Sequence, residues 1–238
     1  MTMLDDRERY WAVVPAGGTG SRLGAQVPKQ YLLLGGQTMI ERSVDALSCA
    51  RWIEQVVVVA APGDAQAARL LAGHARVQVL ARGGATRRDS VLAGVSFLLD
   101  SIGARQNDWV LVHDAARPAV SLAALERLKA TLAGGAGGGL LALPVADTVK
   151  RAHPEDGGMI GERVAATVDR QGLWLAQTPQ MFRLGALAQA LARFPEVTDE
   201  ASAMEAAGEP VRLVAGDRMN FKVTTPDDLD LMRRLLGD

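Results

Sequence analysis

Short apolar runs alternate with longer amphipathic stretches along this chain. The runs Tyr10–Val14, Gln55–Ala60, Val77–Leu80, Trp109–Val112, Gly139–Val145 and Val211–Val214 read as strands. Several are continuous Val/Leu runs, the pattern of strands buried on both faces of a mostly parallel sheet. Helices are predicted over Thr38–Leu47, Ala65–Leu71, Ser90–Leu99, Ser121–Leu132, Leu184–Leu191, Asp199–Ala206 and Pro226–Leu235. The last has a clear start: Thr225 can cap it, Pro226 takes the first helical position, and Asp227 and Asp228 favour the positive helix end. This alternation predicts α/β layers.

One stretch breaks the rhythm. Asp147 to Thr167 carries Pro154, Gly157, Gly158 and Gly161 among charged residues. Its flanks, Thr148–Arg151 and Arg163–Val168, read as two short strands around a long turn, a projecting arm over residues 146–170. A plain surface loop is the other reading. The arm has too few apolar residues to be a domain, and no repeat or linker interrupts the rest. Residues 1–238 are therefore expected to form a single domain.

Composition narrows the function. The chain has 238 residues and a formal net charge of -1, so no bulk field draws it to nucleic acid or a membrane surface. Any anionic ligand needs local cations. No apolar run is long enough to span a bilayer. The charged segment Met1–Arg9 lacks the apolar region of a signal peptide. Cys49 stands alone, which excludes an internal disulfide and fits a reducing cytoplasm. It is expected to be a small core residue.

Candidate chemistry sits after the strands, where open α/β sheets bind ligands. Pro15-Ala-Gly-Gly-Thr-Gly-Ser-Arg22-Leu-Gly follows the first strand, with Lys29 close behind. Glycine-rich backbone amides beside two cations suit a polyphosphate. The run fits neither a P-loop nor a dinucleotide fingerprint. A tight turn with solvated Arg and Lys is the bland alternative. The second motif, Ala81-Arg-Gly-Gly84-Ala-Thr-Arg-Arg-Asp-Ser90, could face a flat base, with Asp89 or Ser90 capping the next helix. In the third, Val110-Leu-Val-His113-Asp114, a strand ends in a carboxylate. Asp114 could hold Mg²⁺ together with substrate phosphates, or pair with Arg117 and cap the turn. His113 reads as a packed strand-end residue. No nucleophile constellation stands out, which leaves phosphoryl or nucleotidyl transfer as the best-supported chemistry.

Taken together, these motifs resemble the nucleotidyltransferases that join a nucleoside triphosphate to a phosphorylated sugar or polyol. Further blocks narrow the resemblance to the 2-C-methyl-D-erythritol 4-phosphate cytidylyltransferase family of the non-mevalonate isoprenoid pathway. They are Pro28-Lys-Gln-Tyr31, His113-Asp-Ala-Ala-Arg-Pro118, Asp147-Thr-Val-Lys150, Thr167-Val-Asp-Arg170, Gln177-Thr-Pro-Gln180, Thr198-Asp-Glu-Ala-Ser202 and Lys222-Val-Thr-Thr-Pro-Asp-Asp-Leu229. They run in order along nearly the whole chain. Gly17 stands where the family more often has alanine, and the arm is a few residues longer than the family's. No appended cyclase segment is read.

The resemblance implies a nucleotidyltransferase fold, a Rossmann-like three-layer α/β sandwich with a mostly parallel sheet and a projecting β-arm. It implies transfer of CMP from CTP to the polyol phosphate, with Mg²⁺ and release of pyrophosphate. By carry-over, Ala16, Gly17, Gly18 and Gly20 wrap the triphosphate, with Arg22 and Lys29 as catalytic cations. Gly84, Ala85 and Ser90 face the cytidine. Asp114 approaches the metal and the substrates, and Ala115 and Arg117 line the CTP side. Thr148, Arg170, Thr198 and Lys222 hold the polyol phosphate, Arg170 and Lys222 presenting it for attack. The arm implies a homodimer in which Thr148 and Arg170 serve the neighbouring site. A cytidylyltransferase for another polyol phosphate, such as ribitol 5-phosphate, and a non-catalytic CTP-binding module are the alternatives.

Overall fold

A computed structural model describes residues 7–18, 27–135, 137–153 and 162–237. Within them, seven strands form one sheet: β1 (Tyr10–Ala16), β4 (Ile53–Ala60), β5 (Val77–Leu80), β6 (Trp109–Val112), β7 (Gly138–Pro144), β10 (Trp174–Arg183) and β11 (Val211–Ala215). Their order across the sheet is β11-β7-β10-β6-β1-β4-β5. All neighbours are parallel except β10, which runs antiparallel to both β6 and β7. A minor hairpin, β2 (Leu33–Leu34) with β3 (Gln37–Thr38), follows the first loop.

Alternate residues of β1 point to opposite faces and seed two cores. Ala12 and Val14 pack with α1 (Met39–Ser48), α2 (Ala65–Leu70) and α4 (Leu122–Leu132). Trp11 and Val13 pack with α3 (Arg87–Phe97), α5 (Leu184–Arg193) and α6 (Glu200–Ala206). A smaller cluster, Leu34, Met39, Ala116, Val223 and Met232, seats α7 (Pro226–Leu236) beside β2. This is the expected three-layer α/β arrangement. Thr225 caps α7 with Pro226 in its first turn, as its sequence predicts.

The expected arm strands appear as β8 (Val149–Ala152) and β9 (Val164–Val168), paired antiparallel with Val149 opposite Val168. Residues 154–161, between them, lie outside the described set.

Three expectations need correction. β10 is absent from the predicted strands because Pro179 and the polar residues around it break the apolar pattern. The register with β7 shifts between Ala176 and Gln180, so Pro179 sits where the ladder is irregular and its missing N–H is not needed. α3 begins at Arg87, with Thr86 as its cap and Asp89 completing a reciprocal capping box; neither Asp89 nor Ser90 is the cap. Cys49 caps the end of α1 at the surface, outside the core, because the stripe of α1 facing the sheet is already filled by Ile40, Val44 and Leu47.

Gly94 explains how α3 reaches the first loop. A Cβ there would stand 2.7 Å from Val13 Cγ1 and 2.9 Å from Val59 Cγ2. Only a glycine lets α3 lie this close to β1 and β4, which sets its first turn against the end of β1.

Candidate active site

The ends of β1 and β6 and the start of α3 enclose a cavity of about 190 Å³. Its walls include Ala16, Gly17 and Gly18 after β1, Gly84, Ala85 and Ser90 before and within α3, Asp114 and Ala115 after β6, and Lys29 and Lys222. Ten of the positions singled out from the sequence thus converge on one crevice at the carboxyl ends of the strands. Gly20 and Arg22 lie outside the described residues.

Local hydrogen bonds shape the walls. Gln30 is buried, and its amide Nε2 donates to Ala16 O at 2.9 Å, fixing the end of β1. Gly83 N–H donates to Ala60 O at 2.8 Å, and an added Cβ would stand only 2.8 Å from that same oxygen. The loop can therefore approach β4 this closely only as glycine. Ser90 Oγ donates to Thr86 O and accepts from Gly84 N–H, both at 3.1 Å.

Asp114 is the electrostatic centre. Lys222 Nζ stands 2.8 Å from its Oδ2, Arg87 Nε donates to its Oδ1 at 2.9 Å, and Arg117 Nε lies 3.9 Å away. Burial alone would raise its pKa. The charges of Arg87 and Lys222, the Lys222 hydrogen bond and the charge of Arg117 outweigh that and hold the carboxyl well below the usual carboxylate range. Asp114 is thus a fixed anion. A single ionised carboxylate with spare lone pairs, facing a cavity with room for a phosphate chain, suits a hard divalent cation carried in by that chain. Among the described residues no group of three His, Cys, Asp or Glu side chains forms a closed metal cage.

The floor beneath Asp114 is a neutral network. Thr178 Oγ1 accepts from Asp114 N–H at 3.0 Å, which directs its own proton to His113 Nδ1 at 3.1 Å. His113 Nε2 then donates to Arg117 O at 3.0 Å. Burial pushes the imidazole pKa down to about 4, so His113 is uncharged at neutral pH, the packed strand-end residue its position suggests.

Arg117 is absent from the cavity wall. Its guanidinium is turned beneath the floor, donating to Asn220 O at 2.7 Å and Ala176 O at 3.3 Å. There it ties the end of β6 to β10 and to the segment that carries Lys222. Thr148, Arg170 and Thr198 are exposed and do not line the cavity. Arg170 donates to Ala146 O at the base of the arm, and Thr198 precedes α6.

Two residues without a role in the sequence reading join the site. Arg87 lines the cavity and grips Glu200 with Nη1–Oε1 at 2.6 Å and Nη2–Oε2 at 3.0 Å. Glu200 is fully buried as the first residue of α6. The Thr86-x-x-Asp89 spacing could have located Arg87 at the start of α3, but nothing along the chain links it to Glu200.

Comparison with known proteins agrees with this architecture. The family model described as 2-C-methyl-D-erythritol 4-phosphate cytidylyltransferase matches residues 10–237. The enzyme of that name from Bordetella pertussis is 52% identical over 237 residues, covering 96% of this chain and 99% of the relative. That from Dechloromonas aromatica is 49% identical over 230 residues, covering 96% and 97%. A crystal structure of 4-diphosphocytidyl-2C-methyl-D-erythritol synthase superposes with a TM-score of 0.84 at 40% identity, covering 98% of this chain and 100% of the other. The cytidylyltransferase structure from Thermus thermophilus gives 0.77 at 31% identity, covering 97% and 100%.

Proposed function

The chain belongs to the 2-C-methyl-D-erythritol 4-phosphate cytidylyltransferase family, and from that premise we propose how its own residues carry the reaction. CMP passes from CTP to 2-C-methyl-D-erythritol 4-phosphate in isoprenoid precursor synthesis. A phosphate oxygen of the polyol phosphate attacks the α-phosphorus of CTP in line. The bond to the β-phosphate oxygen breaks, and pyrophosphate leaves. The nucleophile is already ionised at neutral pH, so no general base is required.

The observation that carries this reading is the convergence of Lys29, Lys222 and ionised Asp114 on a cavity walled by the β1 glycine turn and the loop before α3. Two polyanions must meet there, and fixed cations offset their repulsion. Lys29, with Arg22, stabilises charge developing on the α-phosphate and leaving group. Lys222 exchanges its contact with Asp114 for the attacking phosphate and, with Arg170, holds it near the reactive phosphorus. Arg170 suits that task because its planar fork can grip a phosphate through two hydrogen bonds. Gly84, Ala85 and Ser90 face the base. Asp114 would hold Mg²⁺, which supplies charge neutralisation on the triphosphate when bound.

The arm is read as the dimer contact. Val164 is 61% and Leu175 59% exposed on the arm and the strand leading from it, an apolar surface that a second copy would cover. Thr148 and Arg170, absent from the wall of this chain's own cavity, then serve the neighbour. No helix among the described residues is long and apolar enough to cross a membrane. The same reading puts the enzyme in the cytoplasm.

Pyrophosphate release tests the assignment. The chain is incubated with CTP and Mg²⁺ plus either 2-C-methyl-D-erythritol 4-phosphate or ribitol 5-phosphate. Release with the former alone is expected. Preference for ribitol 5-phosphate, or CTP binding without turnover, would overturn it.

A further inference from the structure

We infer that Arg87 is a positioning residue that joins the two substrate halves of the site, setting the segment that carries Thr198 against the nucleotide crevice through Glu200. The inference rests on the proposed function for the identity of the two substrates. Its geometry stands on the structure alone.

Arg87 uses three nitrogens on two carboxylates. Nε reaches Asp114 in the nucleotide crevice, while Nη1 and Nη2 engage both oxygens of Glu200. Glu200 has no exposure, although a carboxylate in an apolar layer is costly without a partner. Burial pushes its pKa up and the Arg87 charge opposes that rise. A glutamate at this position is explained by what it fastens.

What it fastens is the start of α6. Asp199 caps this helix, accepting from Ser202 N–H at 2.9 Å, and Ser202 Oγ accepts from the N–H of both Thr198 and Asp199. Gln180 on β10 pins the same turn. Its Oε1 accepts from Ala201 N–H at 2.7 Å, and its Nε2 donates to Asp199 Oδ2 at 2.8 Å. Residues 198–202 are thus tied into one piece, held to the sheet by Gln180 and to the crevice by Arg87. Thr198, assigned to the polyol phosphate, is two residues from Glu200. A small rotation about the Gln180 contact would carry Thr198 away while leaving the β1 turn and Asp114 in place.

Arg87 suits this role because its guanidinium is a rigid fork that spans two carboxylates at fixed angles. Lysine could satisfy only one of them. With all three contacts made inside the protein, Arg87 acts through its neighbours.

The test compares wild type with Glu200→Gln, Arg87→Lys and Arg87→Met. CTP affinity is measured by equilibrium titration, and KM and kcat for 2-C-methyl-D-erythritol 4-phosphate by pyrophosphate release. Wild-type release judges the proposed function; the ratios of variant to wild type judge Arg87. Glu200→Gln keeps shape and removes the ion pair. It is expected to raise KM for the polyol phosphate about tenfold, a displacement effect, with CTP affinity within about twofold of wild type. Arg87→Lys should recover part of what Arg87→Met loses. If removal of one charge prevents folding, the paired replacement Arg87→Met with Glu200→Leu removes both buried charges, a change proteins often tolerate. That variant should show the same rise in KM for the polyol phosphate. A folded variant with wild-type KM for the polyol phosphate, or Glu200→Gln weakening CTP affinity and that KM by equal factors, would overturn the inference.

Discussion

The crevice between β1, α3 and β6 and the arm over residues 146–170 satisfy their polar groups in opposite ways. In the crevice, Asp114 has cations on two sides, and His113, Thr178 and Asn220 form a buried network beneath it. On the arm, Thr148, Lys150, Thr167 and Arg170 stand at the surface, and the contacts they make, such as Lys150 Nζ to Thr167 Oγ1 at 2.7 Å, are local. The crevice is organised by contacts within one chain. The arm is a shape held by its hairpin, with functional groups facing outward. The division teaches that the described crevice residues are tied to one another within one chain, whereas Thr148 and Arg170 are not part of that network.

The largest effect expected comes from the crevice. Lys29 lines the cavity from a short helical turn, and its Nζ approaches Val223 O at 3.5 Å. Lys29→Ala should lower kcat by about 10²–10³, the usual loss on removing one preorganised electrostatic stabiliser. KM for the polyol phosphate should change little. Steady-state kinetics with near-normal turnover would dissolve the assignment of transition-state charge to this side of the comparison.

The same division marks what can be read along the chain. β1, β4 and β6 announce themselves because both faces are buried and nearly every position is apolar. β10 does not, because its polar positions are given over to the site. Thr178 holds the Asp114 amide, Gln180 pins α6, and Gln177 donates to Asp217 O. The residues that make β10 useful are those that hide it. Likewise Lys29, Asp114 and Lys222 are recognisable by motif, but the ion pair between Asp114 and Lys222 joins positions that only the sheet order brings together. Arg87 and Glu200 are legible only in three dimensions, since a buried glutamate and a surface glutamate have the same letter. The arm strands are readable from their turn residues, yet what they face is not encoded in either strand alone.

A second effect tests the buried floor of the crevice by pH. His113 has an ordinary pKa of 6.5 and is pushed down to about 4 by burial in the folded chain. Between those values the unfolded chain binds a proton that the folded chain refuses. The stability it contributes is complete above pH 6.5 and is lost as pH falls toward 4, by up to about 3 kcal/mol. Urea unfolding across this window should show the decline, and His113→Gln should flatten it. An unchanged slope in the variant would place the proton uptake elsewhere. The pull on Asp114 lies below the ordinary carboxylate range and does not enter this window. Glu200, pushed up by burial, gains stability as pH falls and opposes the decline, so the difference between wild type and His113→Gln isolates the imidazole.

The smallest effect tests the arm. Arg170→Ala should raise KM for the polyol phosphate by roughly tenfold, the loss of one charged pair in forming the bound state. That result alone would not say whose site Arg170 serves. Hybrid dimers would. If the arm reaches the neighbour, a subunit carrying Lys29→Ala and one carrying Arg170→Ala form a dimer with one intact site: Lys29 comes from the second subunit and Arg170 from the first. The other site lacks both. Random exchange leaves half the dimers hybrid, so a mixture should regain activity from about a quarter of its sites. If Arg170 instead acts within its own chain, every site in every hybrid lacks one cation, and mixing restores nothing. The two geometries therefore differ in sign of outcome even where the single-variant constants are the same.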